Sequence, residues 1–347
     1  MNILFLSCHI VLEKDEVSLL TDLGHNVFSM GGYQINNSGN NLRGPIPNLF
    51  QDEHLKYLSM QCSKENLHPE LIEWADVILS MHNSRVEVEN HPQAWIANNW
   101  EKMKHKKVVW RTIGQSTKQI EECIKPFRAQ GLKIVRYSPK EKYIPSFAGE
   151  DAMIRFYKDP DEYQGWTGST NRVVNVSQAM FGGNSVHSRG DHMAIEVFKQ
   201  AVEGLDWKIY GPDNENAGEH NGGLLSFDDL KNMYRFNRVY LYTGTRPASY
   251  TLGFIEAMIT GMPIVSIGPE HGNAIYTDQK TFEAHEFLED GCGLWSDNPR
   301  ELNRHLTTLL NDYDMAKEIS RKAREKAIQL FGKETVSKQW EAFLKSL

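Results

Sequence analysis

The stretch that most constrains this chain is Val239–Ile267. An apolar, β-prone run, Val239-Tyr240-Leu241-Tyr242, leads into a loop of Gly, Pro, Ser and Thr. A helix opens near Leu252, and a second short apolar run, Pro263–Ile267, follows it. That order is the strand-loop-helix-strand unit of a parallel α/β sheet. Leu252, Ile255, Ile259 and Met262 recur at steps of three, four and three, so one helix face is apolar and packs on the sheet. Glu256 is the only charged residue between Arg246 and Glu270. A lone carboxylate in so neutral a stretch needs a partner or a ligand. The loop offers backbone N–H groups at the end of the sheet and the helix start adds its positive dipole end, a combination that suits a phosphate.

The segment GFIEAMITGMPIV resembles the donor-binding motif of family-4-type retaining glycosyltransferases, whose usual form is E-x-F-G-L-x-x-x-E-A-M-A-x-G-x-P-V-V. The resemblance implies a GT-B fold: α/β, with two Rossmann-like doubly wound parallel-sheet domains facing a cleft. It implies a nucleotide-diphosphate sugar as donor, UDP- or GDP-linked, and no cofactor or metal. It puts Glu256 on the donor ribose and Ser249, Tyr250, Thr251 and Leu252 beside the diphosphate. The first motif glutamate falls on Ala248, so the carboxylate that holds the transferred sugar in the family is missing. Residues from about 170 to 280 carry more of the likeness. Arg189-Gly190 falls on the family's Lys-Gly pair, which makes Arg189 the cation for the diphosphate and a catalytic candidate, with Gly190 beside it. Gln178 stands where the family has its arginine. IYGPDN, with Gly211, occupies the I-V-G-x-G-P position, and Leu225 precedes SFDDLKNMYRFNRVYLY, which looks like the S-x-E-E-L segment of the donor domain.

At 347 residues the chain is long enough for two average domains. With 40% apolar and 24% charged residues it is neither disordered nor membrane-embedded in composition. Cys8, Cys62, Cys123 and Cys292 show no paired spacing, which suggests neither a zinc site nor a disulfide framework and fits a reducing, cytoplasmic compartment. MNILFLSCHIV lacks a basic leader and runs into Glu13-Lys14-Asp15-Glu16, so it is expected to be a first strand rather than a signal peptide.

The first half alternates strands and helices in the manner of a doubly wound sheet, whose ligands bind at the carboxyl ends of the strands. Three polar residues fall at such ends. His9 follows the strand Asn2–Leu6, His82 follows Asp76–Met81, and Arg111 lies near the end of Lys107–Thr112. His9 and Arg111 are acceptor-side candidates. His82, which approximates the D-V-x-H-x-H pattern of the family, is a catalytic candidate that orients the acceptor or bonds the donor sugar; the alternative is a satisfied loop histidine. Arg111 inside a strand must find an anion, either a structural carboxylate or a substrate group.

Residues 101–142 carry twelve Lys/Arg against four Glu, a local charge of +8 in a chain of net charge −7. Solvated helix faces account for that, as do a peripheral contact with an anionic membrane, an anionic glycan, or nucleic acid. Asp159–Thr170, acidic and then Gly- and Ser-rich, is expected to be the interdomain linker. The expected domains are 1–165 for the acceptor, 171–330 for the nucleotide sugar, and a final helix, 331–347, that crosses back to the first domain through Trp340 and Phe343. The expected activity is hexosyl or pentosyl transfer, with retention, to a glycan, lipid or small molecule. The chain is short, as glycosyltransferases of phage genomes tend to be, so the alternative acceptor is a hydroxymethylated base of phage DNA. A sugar-nucleotide epimerase or hydrolase, or a non-catalytic binder, on the same fold is the remaining alternative.

Overall fold

A computed structural model describes residues 1–7, 9–33, 38–63, 66–82, 95–113, 116–182, 190–273 and 280–347. The chain divides into two compact units, Met1–Tyr157 with Lys333–Leu347, and Lys158–Gly332.

The first unit holds six parallel strands among the described residues: β1 Asn2–Leu6, β2 Asn26–Ser29, β3 Val77–His82, β4 Lys107–Thr112, β5 Lys133–Arg136 and β6 Ala152–Met153. Their order is β2-β1-β3-β4-β5-β6, so the winding reverses between β1 and β3. The short apolar runs are buried on both faces, as parallel strands covered by helices must be. Leu4, Leu6, Ile78, Val108, Trp110 and Ile134 form one core with Ile96 and Trp100 from the helix Trp95–Met103 and Ile120 and Ile124 from the helix Lys118–Ala129. The closing helix Lys333–Ser346 buries Val336, Trp340, Phe343 and Leu344.

The second unit holds β7 Thr170–Val176, β8 Trp207–Tyr210, β9 Asn237–Tyr242, β10 Ile264–Ile267 and β11 Leu294–Ser296, all parallel, in the order β11-β10-β9-β7-β8. Here the winding reverses between β7 and β9. The helix Leu252–Thr260 joins β9 to β10 and ends on Gly261 at φ 84°, the left-handed position that glycine fills at a helix end.

One sequence expectation needs correction. Asp159–Thr170 is not a free linker, because Tyr163 is buried and Trp166 is fastened into the second unit. The Trp166 indole donates to the Asn237 carbonyl at 2.8 Å and its ring stacks on Tyr313. The charged run Glu13-Lys14-Asp15-Glu16 is buried in the helix Ile10–Asp22. Among the described residues no helix is long and apolar enough to cross a membrane.

Candidate functional site

Parallel register aligns three strand ends of the second unit. Val176 pairs with Tyr210, and Val174 pairs with Tyr240, so β7, β8 and β9 finish level with one another. The loops that follow, beginning at Ser177, Gly211 and Thr243, open along one edge beside the reversal of winding, where open α/β sheets bind ligands.

The loop after β9 delivers the helix Leu252–Thr260. Thr251 sits at its N-cap without a side-chain cap hydrogen bond, which leaves first-turn N–H groups for an outside acceptor. Ser249 and Tyr250 are buried beneath this start, while Thr251 and Leu252 are half-buried. Gly253 is seated against two phenols: a Cβ there would lie 3.2 Å from the Tyr234 hydroxyl and 3.3 Å from that of Tyr240. Burial raises the pKa of Tyr240, which therefore keeps its proton and donates to the Val176 carbonyl at 3.4 Å.

Glu256 departs from the ribose role expected of it. It is 1% exposed, its Oε1 lies 3.1 Å from Lys158 Nζ, and its Oε2 accepts from the Tyr234 hydroxyl at 3.4 Å. Lys158 is equally buried. The carboxylate thus has a partner 98 residues away in sequence, and its place is explained by a buried ion pair.

The loops after β7 and β8 are clamped together. Asn214, fully buried, donates to the carbonyls of Ser177 at 2.7 Å, Gly211 at 3.1 Å and Pro212 at 3.3 Å, and accepts from the Phe181 N–H at 3.0 Å. Gly211 has φ 125° and passes so close to Ser177 that any Cβ would strike its carbonyl. Gln178 projects from one loop and bonds Asp213 Oδ2 on the other at 3.1 Å. Gly190 opens the turn Gly190–Met193, buried against the Met180 carbonyl. Beside it is a cavity of about 410 Å³ lined in part by Asp191, His192 and Lys199. Arg246 reaches this turn through a bond from its guanidinium to the Asp191 carbonyl, and its backbone N–H meets the His192 carbonyl at 2.8 Å. Leu225 is half-buried just before Ser226, the N-cap of the helix Phe227–Phe236. Arg189 lies outside the described residues.

In the first unit the strand ends next to the reversal carry His9 and His82. His82 is the last residue of β3, in register with Thr112, and its side chain lies outside the described set. His9 caps the helix Ile10–Asp22, its Nδ1 accepting from the Leu12 N–H at 3.5 Å. That bond assigns the proton of the neutral ring to Nε2 and makes His9 a donor there. Arg111 is removed from the acceptor side. It is 0% exposed and bonds Glu16 Oε1 through Nε at 2.9 Å and Nη2 at 2.7 Å. It also donates to the carbonyls of Ile154 and Arg155 and lies over the rings of Phe156 and Trp340. Burial raises the Glu16 pKa and Arg111 opposes that shift.

Next to it, Arg136 forms a two-pronged pair with Glu121 at 2.6 and 2.9 Å. A second buried acid, Glu141, accepts from the Thr112 hydroxyl at 3.1 Å. Burial pushes its pKa up to about 7, Arg136 lowers it, and the charge on Glu121 raises it again. Among the described residues no cluster of three or more His, Cys, Asp or Glu gathers for a metal.

No family model and no curated protein matches this sequence. Solved structures do match, along the whole chain. HepE of Anabaena in complex with UDP-glucose superposes with a TM-score of 0.67 at 15% identity, covering 100% of both chains. Sucrose-phosphate synthase from Thermosynechococcus elongatus gives 0.65 at 12% identity, over 100% of this chain and 98% of that one. A glycosyltransferase from Rickettsia africae gives 0.64 at 14%, over 99% and 98%. The fold is that of the GT-B glycosyltransferases. In GT-B terms, the Asn214 clamp, the uncapped helix start and Arg246 all belong to the second Rossmann-like unit.

Sequence reasoning missed Lys158, Arg246, Asp213 and Asn214. Arg246 had a local signal, as the one cation in the neutral loop before the helix. Lys158 had none, since its partner is distant in sequence.

Proposed function

We propose that the chain is a glycosyltransferase that moves a sugar from a nucleotide-diphosphate sugar to an acceptor hydroxyl with retention of configuration. The observation that carries this reading is the uncapped start of Leu252–Thr260 at the level edge of β7, β8 and β9. Amides there are aimed by the sheet at one place, where a departing diphosphate gathers charge. Arg246 and Arg189 supply the cations, with Gly190 and the Ser249–Leu252 segment around them. The bond from the sugar's C1 to the diphosphate oxygen breaks, the acceptor oxygen bonds C1 on the same face, and the acceptor proton passes to the leaving diphosphate. HepE, solved with UDP-glucose, makes UDP-hexoses the first donors to try. Glycans, lipids and small molecules are the acceptors in view, with His9 on the acceptor side and His82 as a catalytic candidate.

The test is incubation with a panel of UDP- and GDP-sugars, with and without acceptors that include hydroxymethylated DNA. Nucleotide release that needs an acceptor, with the anomeric configuration kept, supports the proposal. Release without acceptor means a hydrolase, isomerised donor means an epimerase, and binding without turnover means a non-catalytic protein.

A further inference from the structure

Resting on the donor reading above, we propose that the Thr251 hydroxyl, held by the Tyr242 phenol, donates a hydrogen bond to the diphosphate of the donor. Thr251 is then a binding residue and Tyr242 a positioning residue behind it.

Two polar groups at the start of the helix Leu252–Thr260 lack the partners that their positions call for. Threonine at an N-cap ordinarily accepts from the N–H two or three residues on. Thr251 has the extended backbone of an N-cap, φ −118° and ψ 166°, but its side chain makes no such bond. Tyr242 ends β9 at 2% exposure, and among the described residues its hydroxyl has no hydrogen-bond partner. The two are neighbours: burial raises the Tyr242 pKa, and the Thr251 hydroxyl and N–H beside it lower it. Gly244, at φ 70°, passes close to the same phenol, for a Cβ there would lie 3.8 Å from its oxygen.

Packing gives no reason for that oxygen. The Tyr242 ring stacks on Phe282 at 6.2 Å and leans on Phe254 at 4.9 Å, contacts that phenylalanine would make equally well. A buried hydroxyl without a partner is unfavourable, so its partner is expected in the liganded state. Because burial raises its pKa, the phenol keeps its proton and is a donor. A threonine hydroxyl both accepts and donates. When Thr251 accepts from Tyr242, its own proton is left for an outside acceptor, and Thr251, half-buried, is reachable from the ligand edge. With the first-turn N–H groups uncapped beside it, the acceptor that suits this place is an anionic phosphate oxygen. The ligand is a nucleoside diphosphate, held by one side-chain hydroxyl in addition to backbone amides.

Calorimetry with UDP and GDP tests this on the full chain. Thr251→Val keeps the branched side chain and removes the hydroxyl. It should weaken binding of the nucleotide that the wild type takes by about tenfold or more, the factor for one hydrogen bond to a charged group. Thr251→Ser keeps the hydroxyl and removes the methyl, so it should restore most of that loss; a role in packing alone predicts the reverse order. Tyr242→Phe should weaken binding about threefold or more, the factor for a neutral hydrogen bond. It should add no further loss to Thr251→Val, because its effect passes through the missing hydroxyl. Wild-type affinity in Thr251→Val, a loss in Thr251→Ser as large as in valine, or a Tyr242→Phe loss that adds to that of valine overturns the inference. In each of those cases nucleotide binding by the wild type leaves the donor reading standing, whereas failure to bind either nucleotide sinks both.

Discussion

Arg111 and Glu16 meet from positions 95 residues apart, both fully buried, and neither has a bland substitute. Arg111→Ala leaves a carboxylate buried without its partner and should lower the folding free energy by about 3–5 kcal/mol. Arg111→Met with Glu16→Leu should cost far less, because apolar groups of similar volume need no partner. Urea midpoints compare the two, and a single variant as mild as the double would refute the ion-pair account. Glu141 supplies the pH dependence. Its pKa is raised from 4.5 to about 7 in the folded state, so between those values the folded chain holds a proton that the unfolded chain releases. Stability contributed by this group is therefore full below about pH 4.5 and falls as pH rises towards 7, by a few kcal/mol at most. Glu141→Gln should flatten that fall and leave the protein more stable than wild type at pH 8 in thermal melts.

The elements were legible in the sequence where short apolar runs alternate with turn residues. β1 and β4 have the bounds expected from their apolar stretches, and the helix after β9 starts at Leu252. What local pattern could not supply was the partner of a buried charge. Glu13 illustrates this. It stands in a run of four charged residues, and it accepts from the Ser29 hydroxyl at 2.5 Å and the Gly32 N–H at 2.9 Å, and so holds the turn after β2. The edge proposed for the donor is similar: its helix Leu252–Thr260 was visible from Gly, Ser and Thr before an apolar period, whereas the Asn214 clamp depends on loops that meet only after the sheet has formed. Gly211 puts that clamp to the test. Gly211→Ala meets both an unfavourable φ and the Ser177 carbonyl, and should cost about 1–3 kcal/mol. UDP affinity should drop with it, while Gly204→Ala, at a turn with open space around it, should leave affinity unchanged.

For the whole molecule, the basic segment 101–142 changes meaning once its partners are counted. Among the described residues at least seven of its twelve cations are ion-paired, at 104, 106, 111, 125, 128, 133 and 136. Three of the acids that meet them, Glu16, Glu73 and Asp151, come from outside the segment, which is why a sum along the chain overstated the charge. At most five cations are left to neutralise phosphates, so DNA binding should show a log-log salt slope no steeper than about −4.5. Filter binding of duplex DNA from ~50 mM salt upward measures it, and a steeper slope would bring nucleic acid back as a leading acceptor. One further consequence comes from the way the chain enters and leaves the second unit. The Lys158 N–H bonds the Phe331 carbonyl at 2.9 Å, so entry and exit are adjacent, and residues 158–332 interrupt the first unit as a closed insert. During synthesis the inserted unit is therefore complete while the first still waits for Trp340 to cover Arg111, so the second unit can fold before the opening one is finished.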